Sequence, residues 1–505
     1  MHYRQISRAI AFIVISFLSL PVRSQTRPSK SQTDFSEIRK LIQTQMAARG
    51  IPSISVAVAR RGEIIWEEAF GFADKENNIP ANKQTMYYVA SVTKTFTATA
   101  LKVLEERKQI DFNRPINDYI KPMAVSSPLW DPNEATVGRV ATHMSGLTTF
   151  GRNCWTDQTN CHISPDETIK RYGILFWRPG DHFDYSNLGY GILGEAIRGA
   201  SGNSYANFMR DEIFRPLGMT RASVGIGPGF EKYAAVRYSS VNGRRPIAYS
   251  ASPAASGIYC NAHGLALFGM FHLRAHLPNQ KAILLDKSIE VMQNSTVSTG
   301  GGSRYGLGWW VREDLNGYRG LLGQGGTDDA MAFLQLIPSE QIAVVVLTNT
   351  GDEFPPKLLD EILSTLLPPY RLKRTTASNT RPQQPAKPSS SSVGNWTGSV
   401  RTYRGDVPLT LSISAAGDVQ AKLGSVASQP LNKFEFTDRG LIGRLTGNLG
   451  VDEDTGPEPY DLDFELYLKG DTLYGATTTR PRAGARYGAR LSYWVELRTN
   501  AGGVR

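Results

Sequence analysis

Cysteine is scarce in this chain: Cys154, Cys161 and Cys260 are the only three among 505 residues. Two cysteines with the adjacent His162, and no second cluster, are poor metal-ligand spacing, so no metal and no other cofactor is expected. Cys154 and Cys161 close the short loop Cys-Trp-Thr-Asp-Gln-Thr-Asn-Cys and are able to bridge, which leaves Cys260 over. Clustered charge is also lacking. The net charge is +10, but Arg4, Arg8 and Arg23 lie in residues 1–24, and Arg371, Lys373, Arg374, Arg381 and Lys387 lie in 369–392, with no acid in either segment. The remaining body is close to neutral, so a nucleic-acid partner is excluded, because that binding needs cations gathered on a folded surface. Long apolar runs are missing too. The longest, Ala9–Leu20, is shorter than the roughly 20 residues a membrane span needs. Following Arg4 and Arg8 and preceding Val22-Arg23-Ser24, it reads as the core of a signal peptide over 1–24. The protein is therefore expected to be exported, to a periplasm or outside the cell, with no transmembrane span once the signal is removed.

Against that background one stretch stands out, Tyr88-Val89-Ala90-Ser91-Val92-Thr93-Lys94-Thr95. It leads into a predicted helix from Val92 to about Arg107. Residues three apart share a helix face, so the Ser91 and Lys94 side chains can meet. A serine hydroxyl attacks only when something takes its proton, and a desolvated amine can do so. A serine at a helix start also lies near unpaired N–H groups that stabilise an oxyanion. The bland alternative is a helix-capping serine followed by a surface lysine.

The flanking chain predicts an antiparallel sheet with helices packed on it. Asp34–Arg49 has helical periodicity, Ser53–Ala59 and Glu63–Phe70 form a hairpin about Arg61-Gly62, and Ala330–Ile337 with Ile342–Thr348 form another. Leu358–Leu367 reads as a closing helix and Tyr205–Phe214 as another. Tyr305-Gly306-Leu307-Gly308-Trp309-Trp310 reads as a strand with crowded backbone. In Tyr185-Ser186-Asn187, two side chains two apart in an extended loop point the same way. A phenolate at Tyr185 would be stabilised by a neighbouring ammonium, and the Asn187 amide can orient a substrate. His143 and Ser145, in Thr142-His143-Met144-Ser145-Gly146-Leu147, read as structural. Residues 369–392 are rich in Pro, Ser and basic residues and read as a linker. From 393 to 500 apolar residues alternate, as in Leu409, Leu411 and Ile413 or Leu462, Phe464 and Leu466, which predicts a small all-β barrel or sandwich.

Assembled in this order, residues 34–368 resemble the serine β-lactamase and penicillin-binding-protein superfamily. The resemblance is greatest to the class C β-lactamase branch, which also holds esterases and D-amino-acid peptidases. Ser91-Val92-Thr93-Lys94, the His143 segment, Tyr185-Ser186-Asn187, Pro216-Leu217-Gly218-Met219, Tyr305–Trp309 and Gly323-Gln324-Gly325-Gly326 carry it. It implies an α/β (α+β) fold of the β-lactamase/transpeptidase type, followed here by the barrel-like domain. It implies an acylated nucleophile at Ser91, its amine at Lys94, a proton-relaying Tyr185 and a substrate amide contact at Asn187. Either Lys94 or Tyr185 serves as base. The oxyanion hole would use the N–H groups of Ser91 and Thr327. The third motif departs from the family: Gln324 stands at the place of a lysine or histidine, Gly325 at that of a hydroxyl residue, with Gly326 and Thr327 completing the substrate strand. Loss of that cation would weaken anchoring of a substrate carboxylate by about 1.5–3 kcal/mol. An ester or amide without that charge, small molecule or peptide, is the expected substrate. The alternative is a catalytically silent binding protein for cell-wall peptides or small molecules.

Overall fold

A computed structural model describes residues 33–157, 164–240, 243–300, 302–370, 387–437, 439–455, 459–481 and 489–499. The expected signal segment, most of the expected linker and Cys161 lie outside them. Cys154 is disulfide-bonded, and Cys260 is a free, buried thiol.

Helix α1 (Ser36–Arg49) ends on Gly50 in the left-handed region. The hairpin of β1 (Ser53–Arg60) and β2 (Glu63–Asp74) follows, then α2 (Thr93–Glu106). Helices α3 (Asn187–Ser201) and α4 (Ala262–His272) precede the strands β3 (Tyr318–Thr327), β4 (Ala330–Ile337) and β5 (Ile342–Thr348), and α5 (Phe354–Leu366) closes this part. The first nine-stranded sheet is antiparallel throughout. Its central run is β3-β4-β5-β1-β2, so the N-terminal hairpin pairs with the last strand, Val58 opposite Val344. Every residue of β5 is buried, as a strand covered on both faces requires. One face packs α1 and α5 through Ile42, Val56, Val344 and Leu363; the other packs α2 and α4 through Phe96, Phe268 and Leu334.

Helix α2 is the pillar of that second face. Every residue from Thr93 to Leu104 is buried, and Phe96 stacks on Phe268 at 3.8 Å between ring centroids. A buried helix rich in threonine needs partners for its hydroxyls. Thr95, Thr97 and Thr99 donate theirs to carbonyls three or four residues back.

Three expectations need correction. Helix α5 starts four residues earlier than predicted, because Pro355 and Pro356 occupy its first turn, where a missing N–H costs nothing. Tyr205–Phe214 is not one regular helix: Tyr205–Phe208 is α-helical and Met209–Phe214 widens into a π-turn. The expected strand 305–310 is split by Gly308, whose φ is +82°. A Cβ there would lie 2.8 Å from the Lys94 carbonyl oxygen and 2.9 Å from Thr95 Cα, so the predicted crowding is real and comes from α2.

Strands between Gly394 and Thr499 build a second nine-stranded antiparallel sheet. Leu409, Leu411, Ile413, Val419, Ala421, Leu423, Leu462, Phe464 and Leu466 all point into its core. The two edge strands, Gln429–Pro430 and Asn432–Phe436, are neighbours in sequence. Gln429 Nε2 donates to the Thr446 carbonyl, so the sheet curls into a nearly closed barrel. This barrel docks on the 148–184 region. Gly151 and Arg490 exchange two backbone hydrogen bonds of 2.8 Å, and Trp177 stacks on Tyr467 at 4.4 Å. Among the described residues no helix is long and apolar enough to cross a membrane.

Candidate active site

The turn that carries Ser91 is held from three sides. Tyr88 pairs with Tyr259 on the strand Ile258–Cys260, and Val89 donates its N–H to the Ile258 carbonyl. Ala90 then takes a positive φ of +45°, a conformation that costs an L-residue roughly 1–2 kcal/mol. Strain of this kind persists only where surrounding packing enforces it. Strand β3 supplies that packing at Gly325, where a Cβ would sit 2.4 Å from the Val89 oxygen and 2.5 Å from the Ser91 nitrogen. Only glycine lets the strand lie this close. A short 3₁₀ turn, Ala90–Val92, then runs into α2, with Ser91 half-buried at its head.

Lys94 is 1% exposed. Its Nζ lies 3.1 Å from Ser91 Oγ, 2.6 Å from Asn187 Oδ1 and 3.0 Å from the Ala255 carbonyl oxygen. Burial holds its pKa well below the ordinary lysine value. A neutral amine has two hydrogens and one lone pair. Asn187 Oδ1 and the Ala255 oxygen can only accept, so they take both hydrogens, and the lone pair is left for the Ser91 hydroxyl. The Ala255 oxygen comes from the short helix Pro253–Ser256, whose small residues permit close approach.

Tyr185 is hydrogen-bonded to Ser91, and burial pushes its pKa up to about 12. Its ring centroid is 4.7 Å from Lys94 Nζ. Burial thus acts on both groups toward their uncharged forms, lowering the amine and raising the phenol. In Tyr185-Ser186-Asn187 the loop, extended at Ser186, enters a helix. Ser186 caps α3 by accepting the Gly189 N–H, and Asn187 is the first residue of the helix. The two side chains meet around Lys94 where this loop enters the helix.

His143, with φ +61°, positions this segment. Its Nδ1 accepts the Ser186 N–H at 3.0 Å, its carbonyl accepts the Asp184 N–H at 2.9 Å, and its ring packs 4.4 Å from that of Tyr185. Burial drives its pKa well down, so the ring is neutral. Two groups to which the sequence assigned no role at the site complete the wall: Trp310, stacked with Tyr185 at 6.2 Å, and Tyr190, 5.5 Å from Lys94 Nζ.

On β3 the residues alternate. Gly325 is buried against Ser91, while Gln324 and Gly326 are exposed. Thr327 ends the strand, and its hydroxyl donates to Asp329 Oδ1 at 2.7 Å. Asp329 also contacts the buried Arg237 at 3.4 Å. The position expected to hold a cation therefore presents a neutral, exposed amide. Among the described residues no cluster of three or more His, Cys, Asp or Glu side chains is placed to hold a metal.

The beta-lactamase family model matches residues 38–419. The chain belongs to the beta-lactamase family. The match runs past α5 into the first strands of the barrel. The chain is 25% identical over 359 residues to Protein flp of Staphylococcus aureus (strain N315), covering 68% of each. Its fold matches a penicillin-binding protein homologue from Pyrococcus abyssi, described as octameric, with a TM-score of 0.58 at 20% identity over 91% of this chain and 100% of that one. A class C beta-lactamase matches with a TM-score of 0.55 at 20% identity over 66% of this chain and 96% of that one. The wider match to the archaeal homologue includes the barrel; the narrower one leaves room for little beyond the first sheet and its helices. The family is one of serine hydrolases, and the fold of this chain is the family's.

Proposed function

We propose that this protein is an exported serine hydrolase that cleaves an ester or amide through an acyl-enzyme on Ser91. The observation that carries the reading is the contact of the buried Lys94 Nζ with Ser91 Oγ, Asn187 Oδ1 and the Ala255 oxygen, which in the neutral amine leaves a lone pair for the Ser91 hydroxyl. Lys94 accepts the Ser91 proton as Oγ bonds to the substrate carbonyl carbon, and the carbonyl electrons move onto its oxygen. The N–H groups of Ser91 and Thr327 receive that oxyanion. On collapse the bond to the leaving oxygen or nitrogen breaks. The leaving group takes the proton of the Tyr185 phenol, which is restored from Lys94. Water then attacks the acyl ester by the same proton path. Asn187 holds Lys94 and orients the substrate. Gln324, neutral and exposed, favours a substrate without a carboxylate at that position, hence an esterase or an amidase of uncharged substrates. Export is supported by Arg4 and Arg8 ahead of the apolar run Ala9–Leu20.

Intact-mass measurement after treatment with an activated phosphonate tests the reading. Wild type should gain one adduct and Ser91→Ala none. Equal labelling of the two proteins would remove Ser91 from the role, and no labelling of either would favour a silent binding protein.

A further inference from the structure

Three residues before Tyr185 the chain borders a second cavity. It occupies about 810 Å³ at the seam between the 177–182 segment and the barrel, within the size range of small-molecule sites. Trp177, Arg178, Asp181 and His182 form one wall; Arg439 and Tyr467 stand on the other. Its charge is one-sided. Arg178, Arg439 and Lys387 face it with Asp181 as the one acid among its lining residues. Arg178 meets Glu134 at 3.3 Å in an exposed pair, and Arg439 hydrogen-bonds the Tyr467 hydroxyl. His182 Nδ1 is buried without a hydrogen-bond partner among the described residues. Burial, then Arg439, lowers the pKa of this ring, so it offers a neutral polar nitrogen rather than a further charge.

This cavity is wired to the catalytic loop by contacts. The Trp177 ring stacks on Tyr467, while its Nε1 donates to Asp184 Oδ2 at 3.1 Å. Tyr467 in turn donates to Glu465 Oε1 at 3.2 Å. Asp184 is the residue next to Tyr185, and its own N–H is fixed on His143. Its carboxyl is pushed up to about 7, first by burial and further by Glu465. Any ligand that shifts Trp177 or Tyr467 therefore acts on the residue adjoining the phenol.

We propose that the seam cavity is a second binding site, for a small organic anion carried on a polar ring such as a sugar acid or sugar phosphate, and that its occupancy alters the reactivity of Ser91 through Trp177 and Asp184. Guanidinium and ammonium groups recognise the carboxylate or phosphate; aromatic side chains and the His182 nitrogen meet the ring and its hydroxyls. The binding half stands apart from the hydrolase reading, whereas the coupling half rests on it.

Calorimetric titration of the full chain with glucuronate, glucose 6-phosphate and glucose tests the first half. One or both anions should bind saturably, with glucose at least tenfold weaker, and Ser91→Ala should bind as wild type does. Arg439→Ala and, as a second variant, Arg178→Ala should each weaken the anion at least threefold, with melting curves showing both folded. Glucose binding as tightly as the anions, no binding of any probe, or wild-type affinity in both arginine variants would overturn the site. For the second half, the phosphonate labelling rate of Ser91 should change at least twofold at saturating anion in wild type and stay constant in Arg439→Ala. A constant rate in saturated wild type would overturn the coupling while leaving the binding result standing.

Discussion

The two nine-stranded sheets of this protein are built to the same count but by different rules. Most barrel strands follow a period-two pattern, with runs buried on both faces only at Leu473–Thr477 and Ser492–Val495, and the buried polar side chains are hydroxyl-bearing residues such as Thr477 and Thr479. The first sheet is covered by helices and buries Lys94, His143, Asn349, Arg237 and Asp329 against or beside its strands. Burying an amine or an imidazole is costly unless its hydrogen-bonding capacity is met. Lys94 meets it by contacting three oxygens, with burial lowering its pKa, and Asn349 by receiving the Ser53 N–H and donating to the Val236 carbonyl. The contrast teaches that period-two burial alone fixes a scaffold, whereas polar groups sunk at the junction of strand, helix and turn mark where reactivity is tuned.

Five experiments press on that contrast, beginning with the largest effect. Ser91→Ala should reduce turnover of any substrate found by on the order of 10⁴-fold or more, measured by steady-state kinetics. Lys94→Met keeps the length of the side chain but removes the lone pair, and should slow Ser91 labelling by about 10²–10⁴-fold; a smaller loss would shift the base role to Tyr185. In the barrel, Leu411→Ala should cost about 2–5 kcal/mol of unfolding free energy in denaturant, with the labelling rate of the folded fraction within twofold of wild type. A larger change in rate would mean that scaffold and site are not separable in the way the contrast claims. Gln324→Lys should raise kcat/KM for carboxylate-bearing substrates relative to their methyl esters by roughly ten- to hundredfold. An unchanged ratio would leave the third motif without a part in selectivity.

The smallest effect is a pH profile. Because the Lys94 pKa is depressed by burial, the amine is the base only above that lowered value. The labelling rate should therefore rise with pH through one acid-side step well below 10.5 and then stay level, since the phenol holds its proton to about pH 12. A step at the ordinary lysine value would show that Lys94 is solvated in solution and remove the reason for its reactivity.

Much of the scaffold was legible in the residues. The β4 and β5 boundaries agree with the predicted strands, because an apolar run between Thr327 and Pro338, and another ending at Thr348, has no competing periodicity. The barrel strands followed from alternation at Leu409–Ile413 and Leu462–Leu466. The start of α5 was not legible, since Pro355 and Pro356 read as breakers and only position in the first turn makes them harmless. At the site, residue types and spacing brought Ser91 and Lys94 together, and the resemblance brought Tyr185 and Asn187. Spacing carried no sign of the Ala255 oxygen, of the His143 contact with Ser186 or of the seam residues Trp177 and Tyr467, which are 290 positions apart in the chain.

By itself the sequence determined which segments become strand or helix and which side chains can attack, donate or accept. Local steric preference and apolar periodicity act within a few residues, so they are written where they operate. Protonation was decided only by the folded chain. Whether Lys94 is a cation or a base, and whether Tyr185 is a phenol or a phenolate, depends on how much water the packed walls exclude and which oxygens they aim at the nitrogen. Those walls come from segments far apart in sequence, and desolvation is a property of the place where they meet.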